Sequence, residues 1–486
     1  MKRLVRWGRR FAFAIVLVWA TLVVGAAFDA RSRLPDLKPW HRLVPKAELK
    51  AVDLGETATL ADYLKREDET LAETRREIGA RLTPADRVVS NRYFDESPLN
   101  PERAAKNWNR TFELIPETIR GGVLLVHGLT DAPYSVRAIA EIYRANGFYA
   151  LALRMPGHGT VPGALTDVTW EDWLAAVRLG ARHVRSRIGE RAPLHFVGYS
   201  NGGALVLLHA LAALDDPKLP KAERLVLVSP MIGVTPYAAL GRTVSRLGVF
   251  PYFEKSKWTD VLPEYNPYKY NSFPANAGWQ TWKLTSRLEA QLEHLAERGR
   301  AGELPKILTF QSVVDATVST SAVVDRLYSP LAREGSELVL FDVNRTSTLR
   351  PFLKPGSEAL LSRVVGNTGR KYVLTVVMNA SSGTNEVAAK SYPPGAADPI
   401  ASPLGLSWPA DVYSLSHIAL PFRPDDPIFG FEPADGEPRG IHLGLLVPRG
   451  EKSTLVVPEE VLMRISSNPF FAYVESRIRE AIQPAS

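Results

Sequence analysis

The sequence predicts an α/β protein with a mostly parallel central sheet flanked by helices, and three observations carry that expectation. Short apolar, β-branched runs alternate with helix-like segments from about residue 107 onward. One of those runs ends at a glycine-flanked serine that leads directly into an apolar helix. An aromatic-rich, largely helical stretch interrupts the alternation at about 234–300, the place a cap would occupy.

The predicted strands are 122–126 (GVLLV), 149–154 (YALALR), 194–198 (LHFVG), 224–229 (RLVLVS), 306–310 (KILTF) and 337–342 (ELVLFD). Each is a short buried-type run, as strands covered on both faces require. A second long insertion, about 344–412, is rich in Gly, Pro and Ser around one further strand candidate, 372–378 (YVLTVVM), which competes with 337–342 for the place of the last parallel strand. Residues 57–82 read as an amphipathic helix with Leu60, Leu64, Leu71 and Ile78 inward, either in a stalk or as a packing helix. The expected division is 1–28 as a signal anchor or signal peptide, 29–106 as a stalk and N-terminal extension, and 107–486 as the catalytic domain.

A chain of 486 residues has room for a large core, and 45% hydrophobic with 23% charged residues is globular rather than disordered. Cysteine is absent, which excludes disulfides, thiolate zinc sites and a cysteine nucleophile. The net charge of +7 owes five units to Lys2, Arg3, Arg6, Arg9 and Arg10, leaving +2 for the rest and no basic patch for nucleic acid. Those cations precede FAFAIVLVWATLVVGAAF, residues 11–28, which is uncharged and about long enough to span a bilayer. A single-pass N-terminal anchor is expected there, with the catalytic domain on the non-cytoplasmic side, periplasmic in a bacterium. The small residues Gly25, Ala26 and Ala27 keep a cleaved signal peptide open as the alternative.

Gly198-Tyr199-Ser200-Asn201-Gly202 matches G-x-S-x-G, where glycines permit a sharp strand-to-helix turn that presents the serine hydroxyl. The flanking strand-like LHFVG and helix-like NGGALVLLHALAAL supply the setting the motif needs, so Ser200 is the candidate nucleophile. Attack on a carbonyl also needs donors for the oxyanion. The turn after GVLLVHGL offers the N–H of Leu129, beside that of Asn201 at the start of the next helix. His127 reads as a packing or hydrogen-bonding residue.

The strings VHGLTDAPYS, LRMPGHGTVPGAL followed by WEDW, and GYSNGG resemble the monoacylglycerol lipase and carboxylesterase (serine aminopeptidase S33-like) branch of the α/β-hydrolases, over roughly 107–343. The resemblance implies the α/β-hydrolase fold and a Ser, acid, His triad in that chain order, with Leu129 and Asn201 matching the oxyanion donors and 234–300 the cap. His158, in the PGHG loop, reads as structural or rim-lining. Asp315 follows the strand after the cap and is the candidate acid, with Asp325 and Asp342 as rivals. Only His417 and His442 follow Asp315; His417, in the Ser-rich entry to a Pro-rich segment, is the candidate base, although more than seventy residues separate it from ELVLFD.

The expected function is therefore a serine hydrolase that cleaves carboxylic esters through an acyl-enzyme, without cofactor or metal. Its substrate would be a small-molecule or lipid ester, with cap aromatics such as Tyr237, Trp258 and Trp279 as candidate acyl-pocket residues. An acyltransferase or a peptidase of the same fold, or a catalytically silent membrane-tethered scaffold, are the alternatives.

Overall fold

The computed structural model describes residues 2–233, 245–331, 334–345, 356–381, 383–409, 412, 414–434, 442–445, 464 and 466–483. The strands are β1 Phe112–Leu114, β2 Gly121–Val126, β3 Phe148–Leu153, β4 Leu194–Tyr199, β5 Arg224–Val228, β6 Trp258–Asp260, β7 Phe273–Pro274, β8 Lys306–Ser312, β9 Glu337–Phe341, β10 Val373–Asn379, β11 Glu386–Tyr392 and β12 Ile400–Ser407. The principal helices are α1 Lys2–Arg33, α2 Leu60–Gly79, α3 Arg137–Ala145, α4 Trp170–Ile188, α5 Asn201–Asp215, α6 Ala275–Glu297, α7 Gly356–Gly366 and α8 Phe471–Ile482.

Among the described residues ten strands form one sheet in the order β1-β3-β2-β4-β5-β8-β9-β10-β11-β12, while β6 and β7 pair separately. From β3 to β10 every neighbour is parallel; β1, β11 and β12 are antiparallel edges. All seven runs read as strands from the sequence are strands, and YVLTVVM is β10, the last parallel one. The second insertion therefore extends the sheet by β10, β11 and β12 before the chain returns.

Alternation across the pleat explains why these runs are apolar throughout. Leu124 and Val126 of β2 join the cluster under α4, α5 and α6, whereas Val123 and Leu125 join the one under α3 and α8. Both faces are covered, so neither set of side chains meets water.

The extension before residue 107 packs on this sheet rather than standing off as a stalk. Thr59 caps α2, its hydroxyl accepting from the Asp62 N–H while Asp62 accepts from the Thr59 N–H. Leu60, Leu71 and Ile78 are buried as expected, and Leu64 is half-buried against the main core. Beneath α2 lies a buried ionic cluster. Arg154, just past β3, donates to Glu48 at 2.9 and 3.1 Å and to Glu67 at 3.2 Å, and the Tyr63 hydroxyl donates to the Arg154 carbonyl.

The membrane-spanning helix expected at the N-terminus is not found: among the described residues no helix is long and apolar enough to cross a membrane. The apolar run does lie on α1, but its later part is committed to the protein. Val23, Ala27 and Ala30, with Leu34 just beyond, make one buried stripe. Ala30, Leu34 and Leu37 pack there with Trp258 and Val261 of the cap region.

Candidate active site

The loop after β4 carries Ser200 in a conformation that side chains rarely adopt, φ 53° and ψ −116°. Such a backbone costs about 1–3 kcal/mol and persists only where its surroundings impose it. Here the glycines allow that imposition. A Cβ on Gly202 would run into the carbonyl of Val126, and one on Gly198 into the backbone of Gly202 and Gly203. The turn is pinned by Ser200 N–H to Val228 O at 2.9 Å and by Met231 N–H to Ser200 O at 3.0 Å.

Leu129 follows β2 in the adjoining turn. A Cβ on Gly128 would lie 3.2 Å from the Ser200 Cβ, so glycine there lets this turn close on the elbow. Asn201 opens α5, where backbone N–H groups have no carbonyl one turn earlier and point out of the helix end. Leu129 and Asn201 thus flank Ser200 from two elements. The turn is braced from behind by His127, whose Nδ1–H donates to the Gly128 carbonyl at 2.9 Å while its Nε2 accepts the Met155 N–H at 3.0 Å. That pattern needs a neutral ring, and burial, with His158 adding to it, holds the His127 pKa well below the ordinary value. His127 is a hydrogen-bonding residue, as the sequence indicated.

Asp315 sits in the loop after β8, and its Oδ2 accepts the His417 Nδ1–H at 2.8 Å across 102 residues of sequence. Both side chains are buried. Three further hydrogen bonds hold the carboxylate: its Oδ1 accepts from the N–H groups of Thr317 and Val318 at 2.8 and 2.9 Å, and its Oδ2 from the Gln311 amide at 3.0 Å. Burial alone raises this carboxyl, but these interactions outweigh it and the pKa is lowered.

The His417 loop is tied down at both sides of the elbow. The Ser312 hydroxyl, at the end of β8, donates to the Leu415 carbonyl at 2.8 Å, and the Tyr199 hydroxyl, beside Ser200, reaches the His417 carbonyl at 3.4 Å. The Tyr199 and His417 rings lie 5.3 Å apart. Three segments separated by the cap and the sheet extension are therefore gathered at one strand edge.

The rivals go elsewhere. Asp325 is exposed and pairs with Arg363 at 2.5 Å, while Asp342 is buried against Arg345 at 2.8 and 3.0 Å. His442 faces the Pro427 carbonyl at 2.9 Å. His158 is buried on the Pro156 carbonyl at 3.0 Å, and burial pushes its pKa down to about 3. Of the cap aromatics, Trp258 is packed on His41 and the end of α1 rather than at the serine. Trp279 stacks on Trp282 along α6, and Tyr237 lies outside the described residues. Contact with the elbow comes instead from Thr281, 3.5 Å from the Asn201 side chain, and from Tyr270, whose N–H donates to the Thr130 carbonyl at 2.7 Å.

Gln311 was not singled out from the sequence. Its signal was there: the one amide side chain in the strand run KILTFQS, four residues before Asp315. A polar side chain inside a buried strand needs a partner, and here that partner is the acid.

Residues 117–342 match the family described as serine aminopeptidase, S33. A thermostable monoacylglycerol lipase from Bacillus sp. (strain H-257) is 29% identical over 175 residues, which is 36% of this chain and 65% of that relative's length. Among solved structures, the Paleococcus ferrophilus monoacylglycerol lipase is 18% identical and covers 53% of this chain and 98% of its own, with a TM-score of 0.36. The Saccharomyces cerevisiae monoglyceride lipase variant is 13% identical and covers 48% and 82%, with a TM-score of 0.37. Sheet order and elbow give this chain the α/β-hydrolase fold, and the family match and the Bacillus relative make it similar to the monoacylglycerol lipase and carboxylesterase branch.

Proposed function

We propose that the chain is a serine hydrolase that cleaves carboxylic esters, with Ser200 as nucleophile, His417 as base and Asp315 as the residue that orients His417. The observation that carries this reading is the 2.8 Å bond from His417 to a buried, multiply held Asp315, on a loop tethered to the residue before Ser200. In the first step Ser200 Oγ bonds to the ester carbonyl carbon as its proton passes to His417 Nε2, and the oxyanion lies toward the N–H groups of Leu129 and Asn201. Collapse breaks the bond to the alcohol oxygen, which leaves with the proton from His417. Water then repeats the sequence on the acyl-enzyme and releases the acid.

Monoacylglycerol-like lipid esters are the proposed substrate class, because the Bacillus relative is a monoacylglycerol lipase. For the chemistry, the full chain in mild detergent is incubated with a fluorophosphonate and with nitrophenyl esters of short and long acyl chains. Labelling and turnover that vanish together in Ser200→Ala support the reading. Turnover that persists in Ser200→Ala overturns it.

A further inference from the structure

Large apolar side chains left in water are concentrated in one place. Phe11, Phe13, Leu17, Val18, Leu22 and Phe28 of α1 are all exposed. At 100° per residue they sweep the half of the helix opposite the buried stripe Val23, Ala27 and Ala30. A helix apolar on both halves is found where something apolar covers it.

The surface continues onto the cap region. Val249, Phe250 and Tyr252 are 78%, 61% and 52% exposed. They are attached to α1: Phe28 packs edge-on against Tyr252 and Phe253 at 6.0 and 5.2 Å, and Arg31 donates to the Tyr252 carbonyl at 3.0 Å with its guanidinium 3.9 Å over that ring. Lys255 donates to the Leu34 carbonyl at 2.8 Å. From this rim the chain runs through β6 to Tyr270, which is bonded to Thr130 beside the elbow.

Charge selects the occupant. Residues 1–28 hold Lys2, Arg3, Arg6, Arg9 and Arg10 and no acidic residue. Anionic headgroups complement that segment, whereas a second copy of the chain would bring the same cations to the contact.

We propose that the exposed half of α1 and the rim Val249, Phe250 and Tyr252 form one lipid-facing surface, seated on a bilayer with anionic headgroups, that turns the cap toward the membrane. The surface stands on its own geometry. The further statement that a lipid ester is drawn from that bilayer rests on the ester-hydrolase reading above.

Because the chain has no cysteine, Phe250→Cys carries a polarity-sensitive fluorophore at a single position, and Ile400→Cys on the exposed edge of β12 serves as control. With the full chain, vesicles of phosphatidylcholine and phosphatidylglycerol should blue-shift the label at 250 and not the one at 400. Phosphatidylcholine alone should do less. The double variant Val249→Glu with Phe250→Glu should lose about tenfold or more of its turnover on vesicle-borne monooleoylglycerol. Its turnover of nitrophenyl acetate should stay within about twofold, since both positions lie on the surface. An unchanged label at 250, a blue shift that appears on concentrating the protein without lipid, or a double variant that matches the parent on vesicles each overturns the proposal. If the parent turns over neither ester, the ester-hydrolase reading fails while the label still decides the surface.

Discussion

Two buried carboxylate contacts bridge distant parts of this chain, and they differ in how fully the partner's hydrogen-bonding capacity is used. At Arg154 one guanidinium is enclosed by Glu48, Glu67 and the His158 carbonyl at 2.8 Å, so a cation that never loses its proton is surrounded by acceptors. At Asp315 the acid is equally well held, but its partner is an imidazole that uses one ring nitrogen on the carboxylate and has a second. The first contact joins the extension to the sheet. The second holds an imidazole with one ring nitrogen to spare, the arrangement on which the proposed mechanism rests, so burial and bonding alone do not distinguish a functional contact from a structural one.

Breaking each contact should separate the two roles. Asp315→Asn keeps the shape but presents the wrong hydrogen-bonding partner to His417 Nδ1, and kcat should fall by about 10⁴-fold with the melting temperature little changed. A large loss of stability instead would make Asp315 a structural residue. Arg154→Met leaves two carboxylates facing each other in the interior and should cost about 3–5 kcal/mol, read by denaturant titration. A variant of parental stability would show that the extension is not held by this cluster. The gentlest change, Thr59→Ala, removes the α2 cap and should cost about 1 kcal/mol with kcat/KM unaffected.

The neutral histidines add a pH dependence with a definite sign. Burial lowers the pKa of His158 and His195 to about 3, and His127 is also pushed well down. In the unfolded chain a histidine takes its proton near 6.5, so below that pH the unfolded state binds more protons. Their contribution is complete above about pH 6.5 and is lost as pH falls toward the folded-state values near 3. Stability measured by denaturant should decline steadily from about pH 6.5 downward. A flat profile to pH 4 would contradict the burial of these rings.

Much of this was legible because it is local. Each parallel strand announced itself as an apolar run, and the elbow by its glycines, which the structure uses to let backbones approach. That Asp315 and His417 would meet was legible from the chain order the resemblance implies. What stayed hidden depends on distant partners. Glu48 and Glu67 give no local sign of burial, because nothing near them in sequence says that Arg154 will be buried beneath α2. β11 and β12 were missed because EVAAKSY mixes polar residues with apolar ones and IASPLGLS is largely exposed in the fold, so neither carries a core signal. The N-terminal apolar run was legible as apolar, but not as a helix with one stripe packed on the cap.

The central claim is that Ser200 is activated by His417 held on Asp315. The most direct measurement is the rate of covalent fluorophosphonate labelling at Ser200, read by mass spectrometry, in the parent, in His417→Ala and in His442→Ala. The account predicts labelling of the parent at Ser200, a loss of several orders of magnitude in His417→Ala, and a near-parental rate in His442→Ala. Labelling that survives in His417→Ala, or that is lost in a folded His442→Ala instead, would contradict it.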